Sequence, residues 1–534
     1  MFPLSGHIPT EEQIENLRKI KRISDKFHKD ADISVVDYCI DFNNISESII
    51  ILESGHQPNY FPYPGTWKKA FLLDFFHKRI ENSIALFGFA DYNLCTAPIL
   101  YSNKIPAITK TGSEKIGFRI NKNEKWKSFN AIKKPTREEF ENEINHVKNH
   151  YRNYISTAKL SFSIEENIKE IDEIMWKSYD LSNNLADLNA FIFSKICREV
   201  WDLEINFFRY SDIQKNGIFI NECEKLIKNI DQYNTLYNKI LAKEKLTKTS
   251  PIKENLFPFW YHCNCNGKIP LIVKSKNPLI CTGVCPSCKK FHELDFRNLK
   301  KHFGRMSITG VARNLIFSEG LGTTLYISGS GGGLRYGKIS NEISKNLKFH
   351  LPITLAWQSK DYYLGVGHLT GLYNFKKNFH FTIDNITNEN IYQKIKEVHK
   401  KLLKEMESSD KKDIQKLKGQ FINIKTQLNI ISSIFKLTPS ILELFITIGI
   451  SEIPKIWEKS FNELKVDFTD EFYIIQKDII YNGKISEAVQ WIWKNKKRKE
   501  ITIEECVGTI VLIRALREEG LFLRELIELL IDLS

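Results

Sequence analysis

The segment SIIILESGHQPNYFPYPGTWKKAFLLDFF, residues 48–76, limits the fold more than any other stretch of the chain. A continuous apolar run of strand length is the pattern of a strand buried on both faces, as in a parallel sheet. Gly55, His56, Gln57 and Asn59 follow it, with three prolines. Trp67, Ala70, Phe71 and Phe75 then recur at helical spacing. A second apolar run, Asn82 to Asn93, closes on polar residues. Strand, loop, helix, strand is the start of a parallel βαβ unit.

The same rhythm returns more than two hundred residues later. TTLYISG reads as a strand, SGGGLRYGKISNEISKNLKFH as a Gly-rich loop opening a helix, and LPITLAWQS as another buried strand. Ligands of open α/β sheets sit beyond the carboxyl ends of the strands, where the strand order reverses. Two loops are therefore expected on one rim. Gly329, Gly331 and Gly332 let backbone amides approach an anion, and Arg335 and Lys338 add positive charge. His56 is the candidate acid/base or phosphate-holding group, with Gly55, Gln57 and Asn59 orienting substrate. Asp91 and Asn93 join the rim from the second strand, Asp91 as the carboxylate for an amino group. The glycine pattern is neither G-x-G-x-x-G nor a P-loop.

Between the two halves lie a mostly helical stretch and a cysteine module. Five of the ten cysteines fall between Cys263 and Cys288. Cys285 and Cys288 form C-x-x-C around Pro286, and Cys263 and Cys265 form C-x-C. The intervening residues suffice for a β-hairpin, which is the outline of a zinc ribbon. Cys263, Cys265, Cys285 and Cys288 are the expected ligands of a closed, structural site, with Cys281, His262 or His292 able to replace one. So few cysteines, so clustered, fit metal binding in a reducing cytoplasm better than disulfides.

After Asn388 the texture changes. Ile391, Ile395, Val398 and Leu402, and then Ile414, Leu417, Phe421, Ile424, Leu428, Ile431 and Phe435, mark an a/d seam in two helices. An antiparallel coiled-coil hairpin is expected, with architecture or homodimerisation as its role. The last hundred residues read as short helices. At the other end, Thr10 and Gln13 predict a capping box for a helix through about Phe27. No stretch is long and apolar enough to span a membrane, and the start lacks the pattern of a secretory signal. The net charge is +13, spread along the chain, with one dense run at Lys494 to Glu500 read as a solvated helix end or, alternatively, a polyanion contact.

In order and motif the chain resembles the bacillithiol biosynthesis cysteine-adding enzyme (BshC) family over roughly residues 48 to 440. SGHQPNYFPYPG resembles the family's TGQQPGL…GP loop, ADYNL its DHDF-like motif, and SGSGGGLRYG its GGPGE motif. The first of these is also similar to the HQPNYFP signature of WbqC-like proteins. The resemblance implies a split Rossmann-like core, a dimerising coiled coil, and a cytoplasmic ligase or transferase. Such an enzyme joins an amino acid, cysteine in the family, to an amine-bearing acceptor; ATP or ADP is the candidate nucleotide. Tyr92 and Asn93 stand where the family has His and Asp, and Gly333 where it has Glu, so acid/base groups of the family are missing.

The expected organisation is thus an α/β chain in seven parts. Residues 1–45 are a helical extension and 46–135 the first half of the core. A helical insertion takes 136–255 and the zinc ribbon 256–295. The second half of the core is 296–387, the coiled-coil hairpin 388–437, and a helical region 438–534. The competing expectation is a zinc-ribbon protein that binds or modifies nucleic acid such as tRNA, or a non-catalytic homologue.

Overall fold

The computed structural model describes residues 4, 6–37, 48–158, 164–244, 251–329 and 332–358, then shorter stretches (361–362, 365–368, 370–371, 430, 433–434, 437–461, 466–469, 472–476 and 479–480). The coiled-coil seam, Gly331 and the Lys494 run fall outside them, apart from a few isolated positions near residue 433.

A seven-stranded sheet organises the chain. Six strands are parallel: Ile50–His56, Ser83–Phe89, Asn206–Arg209, Leu325–Ser328, Ile353–Gln358 and Phe472–Gln476. Numbered along the chain, they lie side by side in the order 3-2-1-4-5-6, and Val466–Thr469 pairs antiparallel outside the sixth. The order reverses between the first and fourth strands, which are direct neighbours, with Leu52 opposite Leu325. Every residue of Ser83–Phe89 is buried, as the unbroken apolar run anticipates.

Two strands lie where helices are expected. Asn206–Arg209 sits inside the stretch read as a helical insertion, and Phe472–Gln476 inside the C-terminal region read as short helices. Both are short, four and five residues, and their apolar runs cannot be told from a buried helical turn by periodicity. Pairing with the sheet decides them.

Helices cover both faces. Pro64–His77 and Leu185–Lys195 pack on one, where Trp67 stacks on Phe193 at 4.1 Å. Glu11–Asp30, Gly310–Leu321 and Gly332–Leu347 pack on the other. The first of these carries the predicted capping box of Thr10 and Gln13. It belongs to the core: His28 donates from Nδ1 to the Ser34 carbonyl and accepts at Nε2 from Phe207 N–H, 3.1 Å away. The five-stranded ribbon sheet is wholly antiparallel, in the order Met306–Ile308, Leu256–His262, Lys268–Lys276, Leu279–Val284, Phe291–Asp295. No helix among the described residues is long and apolar enough to cross a membrane.

Gly55 and Gly88 are paired across the first two strands, and the Tyr210 side chain packs against both. A Cβ on Gly88 would stand 1.9 Å from Tyr210 Cε1, and one on Gly55 2.1 Å from its hydroxyl. Gly55 is therefore required by packing, not by a ligand's approach. Gly88→Ala should cost about 2–3 kcal/mol of stability in chemical denaturation. Adding Tyr210→Leu to that variant should recover part of the loss, because the two positions share one contact.

Candidate functional site

Cys263, Cys265, Cys285 and Cys288 place their sulfurs within 4.8 Å of one another. The Cys263–Cys288 and Cys265–Cys285 separations are each 3.5 Å. Tetrahedral bonds of 2.3 Å to zinc put sulfurs about 3.8 Å apart, so the four thiols can hold a metal ion such as zinc. Cys263 and Cys265 come from the turn after the Leu256–His262 strand, Cys285 and Cys288 from the turn after Leu279–Val284. Backbone N–H groups of Cys265, Gly267, Ser287, Cys288 and Lys290 point at the sulfurs and favour thiolates. A Cβ on Gly267 would lie 2.5 Å from Cys285 Sγ, so only glycine fits there.

The alternative ligands separate cleanly. Cys281 is buried in the ribbon's apolar layer and lies outside the cluster. His262 turns its Nε2 to Ser307 Oγ, 2.9 Å away. His292 Nε2 is 3.4 Å from Cys263 Sγ and can serve that sulfur as a donor.

The ribbon docks on the carboxyl edge of the main sheet through its first cysteine turn. Ser128 N–H donates to the Asn266 carbonyl at 3.0 Å, and Lys268 N–H to the Trp126 carbonyl at 2.9 Å. Lys268 follows that turn directly and buries its ammonium, which donates to the Tyr92 carbonyl at 2.7 Å. Burial, with Arg313 nearby, pushes its pKa down to about 7.

Lys69 reaches the same edge from the opposite face, on the Pro64–His77 helix. Its ammonium donates to the Gly55 carbonyl at 2.7 Å, and its Cε lies 4.0 Å from where a Cβ on Gly329 would stand. Lys69 therefore sits between the ends of the first and fourth strands, where the order reverses. Its pKa, too, is pushed down to about 7 by burial and Arg313. Arg313 lies with its guanidinium 4.8 Å from the Tyr210 ring centroid.

Neither lysine nor Arg313 has a carboxylate within ion-pair distance among the described residues. A nearby comparison shows how unusual this is. Arg209, at the end of the third strand, is matched by Asp187, Asp30 and Asp212 at 2.7, 3.1 and 3.5 Å. A buried cation without a close counter-charge is costly; it either gives up its proton, as the lowered values of the two lysines allow, or takes up an anion.

His56 stands beside this group. Its Nδ1 is 2.9 Å from the Gln57 carbonyl, which can only accept, so the proton is on Nδ1 and Nε2 keeps its lone pair. Thr66 Oγ1 approaches that lone pair at 3.5 Å. Burial first, then Lys69, push the imidazole down to about 3, so it is neutral at physiological pH.

The other expected site residues divide. Gly329 is at the edge, and Gly332 opens the following helix. Asn59 is buried, with its carbonyl oxygen unpaired. Gln57 and Asn93 are half-buried at the ends of the first two strands, and Arg335 is half-buried on the Gly332–Leu347 helix. Lys338 turns away to pair with Glu244 at 3.1 Å. Asp91 is buried with both oxygens engaged, accepting from Ser211 N–H at 2.9 Å, Ser211 Oγ at 2.5 Å and Asn130 Nδ2 at 3.0 Å. It braces the edge instead of offering a free carboxylate. Sequence reasoning missed Lys69, Lys268 and Arg313, because each reads as an ordinary charged position on a helix or strand.

No protein-family model matches this chain, and no curated protein matches it.

Proposed function

We propose that this protein is a ligase- or transferase-type enzyme with a Rossmann-like core, which binds a phosphate-bearing ligand at the carboxyl edge of its sheet. The observation that carries the reading is the group of Lys69, Lys268 and Arg313 at the carboxyl edge, with no carboxylate in ion-pair contact, Asp91 and Glu53 standing farther off from Lys268 and Arg313. ADP or ATP is the candidate ligand. Its phosphates would lie on the two ammonium groups, the guanidinium and the amides near Gly329 and Gly332. His56 is then the candidate base: a bound phosphate offsets the repulsion from Lys69, the second cause of its lowering after burial, and so raises its affinity for a proton from an attacking amine. The reaction class follows the BshC-like motifs, an amino acid joined to an amine-bearing acceptor in the cytoplasm, with the cysteine site as a structural zinc centre.

Calorimetric titration of the full chain with ADP, ATP and pyrophosphate tests this at pH 7. Micromolar binding is expected, with loss of most affinity in Arg313→Met. His56→Ala should keep binding and lose turnover by roughly 10²–10⁴-fold. No binding below millimolar concentration by any of the three would sink the proposal.

One observation favours the second reading, a nucleic-acid-binding ribbon. Phe291 and Val284 are cross-strand partners on the ribbon, 59% and 52% exposed, beside exposed Lys289 and Lys290. An exposed aromatic with lysines is a stacking platform for single-stranded RNA or DNA. Retention that weakens steeply with salt and is lost in Phe291→Ala would support it.

A further inference from the structure

Between the main sheet and two covering helices, where an apolar layer is the rule, this protein has a polar pocket. Glu53, Tyr326 and Thr354 are aligned across three neighbouring parallel strands, Glu53 opposite Tyr326 and Tyr326 opposite Thr354. All three face one cleft. Asn314 closes it from the Gly310–Leu321 helix, and Asn341 and Ser344 from the Gly332–Leu347 helix. The cavity itself is about 20 Å³, room for one water-sized group such as an ammonium head, and it widens into an open mouth.

The lining polar groups are left over by the fold. Thr323 Oγ1 donates to one Glu53 oxygen at 2.7 Å. The side chains of Asn314, Tyr326, Asn341, Ser344 and Thr354 have no hydrogen-bond partner among the described residues. Yet Asn341, Ser344 and Thr354 are 7%, 3% and 5% exposed, and Glu53 is 3% exposed. Their polar atoms open on the cleft and are not sealed from water, so a ligand entering it meets several free hydrogen-bonding groups at once. The chemistry of the lining selects which ligand. It holds one carboxyl, hydroxyls and amide oxygens, and no cationic side chain.

We propose that this pocket binds a primary ammonium group, held by the Glu53 carboxylate and by oxygens of Thr354, Tyr326 and the two asparagines. Three N–H donors in a compact head match a carboxylate flanked by neutral acceptors. Arg313 is the residue before Asn314 and lies within electrostatic reach of Glu53. The pocket therefore adjoins the cationic edge, and one ligand can place its amine on Glu53 and its anionic end on Arg313. This deepens the proposed function by locating the amine, and it rests on that reading only for the ligand's second end.

The test uses the full chain, with methylammonium and ethanolammonium chloride as probes. Potassium and tetramethylammonium chloride at equal ionic strength are the controls. A saturable rise in melting temperature with the two primary amines, absent with both controls, is expected. Thr354→Val and Glu53→Gln should each weaken the response by roughly 10–100-fold, the effect of one lost hydrogen bond to a charge. Should Glu53→Gln fail to fold, Thr354→Val and Tyr326→Phe carry the test. An equal response to potassium, or a response unchanged in these variants, overturns the proposal. Pyrophosphate titration of Thr354→Val separates the two readings. Retained pyrophosphate binding with lost amine response supports the pocket, whereas amine response intact in the variant refutes it whatever the edge does.

Discussion

Removing the metal, or replacing Cys285 with serine, should unfold the ribbon's outer hairpin and cysteine turns and weaken anion binding at a distance. Zinc bound by four thiolates contributes on the order of 10 kcal/mol to the folding of a small metal domain. The ribbon's inner strands share a buried apolar layer with the main core, through Phe257, Phe259, Ile269 and Leu271, so the loss falls chiefly on its outer hairpin and cysteine turns. Its strands expose Val284 and Phe291, and its cysteine turns hold Asn266 and Lys289 at positive φ of 64° and 62°. The second effect follows from sequence. Lys268 is three residues beyond Cys265, and its ammonium reaches Tyr92 only because the Cys263–Gly267 turn is stitched to residues 126–128. Purified protein should carry one zinc per chain by elemental analysis. Extraction with a strong chelator should lower the melting temperature of the chain, whose second core the ribbon shares, and lower pyrophosphate affinity at least tenfold. Pyrophosphate affinity unchanged after complete zinc loss would break the proposed link between ribbon and edge.

The sequence made some of this architecture readable and hid the rest, for identifiable reasons. Long, uninterrupted patterns were legible: SIIILES and NSIALFGF as buried strands, the Thr10–Gln13 cap, and the two cysteine pairs. Each carries its signal within a few residues. The strands at Asn206–Arg209 and Phe472–Gln476 were not legible, since they are strands only by virtue of neighbours far along the chain. The candidate site follows the same division. His56 and Gly329, at the ends of two strands, are brought to one edge. Lys69, Lys268 and Arg313 come from a helix, a ribbon strand and another helix, and nothing local distinguishes them from solvated lysines and arginines. Only burial without a carboxylate in ion-pair contact sets them apart. Gly55 and Asp91 taught the opposite lesson: residues suited to ligand binding are held by Tyr210, Ser211 and Asn130.

The cationic edge should also make the protein less stable than it could be. Lys69→Met keeps the volume of the side chain and removes a buried charge, so it should leave stability unchanged or raise it by about 1–3 kcal/mol, even though the bond to the Gly55 carbonyl is lost. The same change should abolish most binding of ADP or pyrophosphate, a loss of at least 100-fold. A substitution that stabilises the fold and destroys binding marks a residue kept for its ligand, not its packing. The pH dependence carries the same signature. Lys69 and Lys268 are held near 7 in the fold, against an ordinary value of 10.5. Between these limits the unfolded chain binds protons that the native state does not, so stability rises as pH increases from about 7 to about 10. His56, lowered to about 3, adds a rise between about pH 3 and 6.5, while Glu53, raised to about 7, opposes it above about pH 4.5. A bound phosphate inverts the lysine contribution by favouring the charged ammonium groups, so binding should take up protons near pH 8 and weaken toward pH 10. Calorimetry in two buffers of different ionisation enthalpy reads that uptake directly. Loss of about one proton's uptake in Lys69→Met, together with unimpaired folding, is the expected result. A destabilised Lys69→Met variant that still binds pyrophosphate at full affinity would make the cluster a structural feature and remove the anion from the reading.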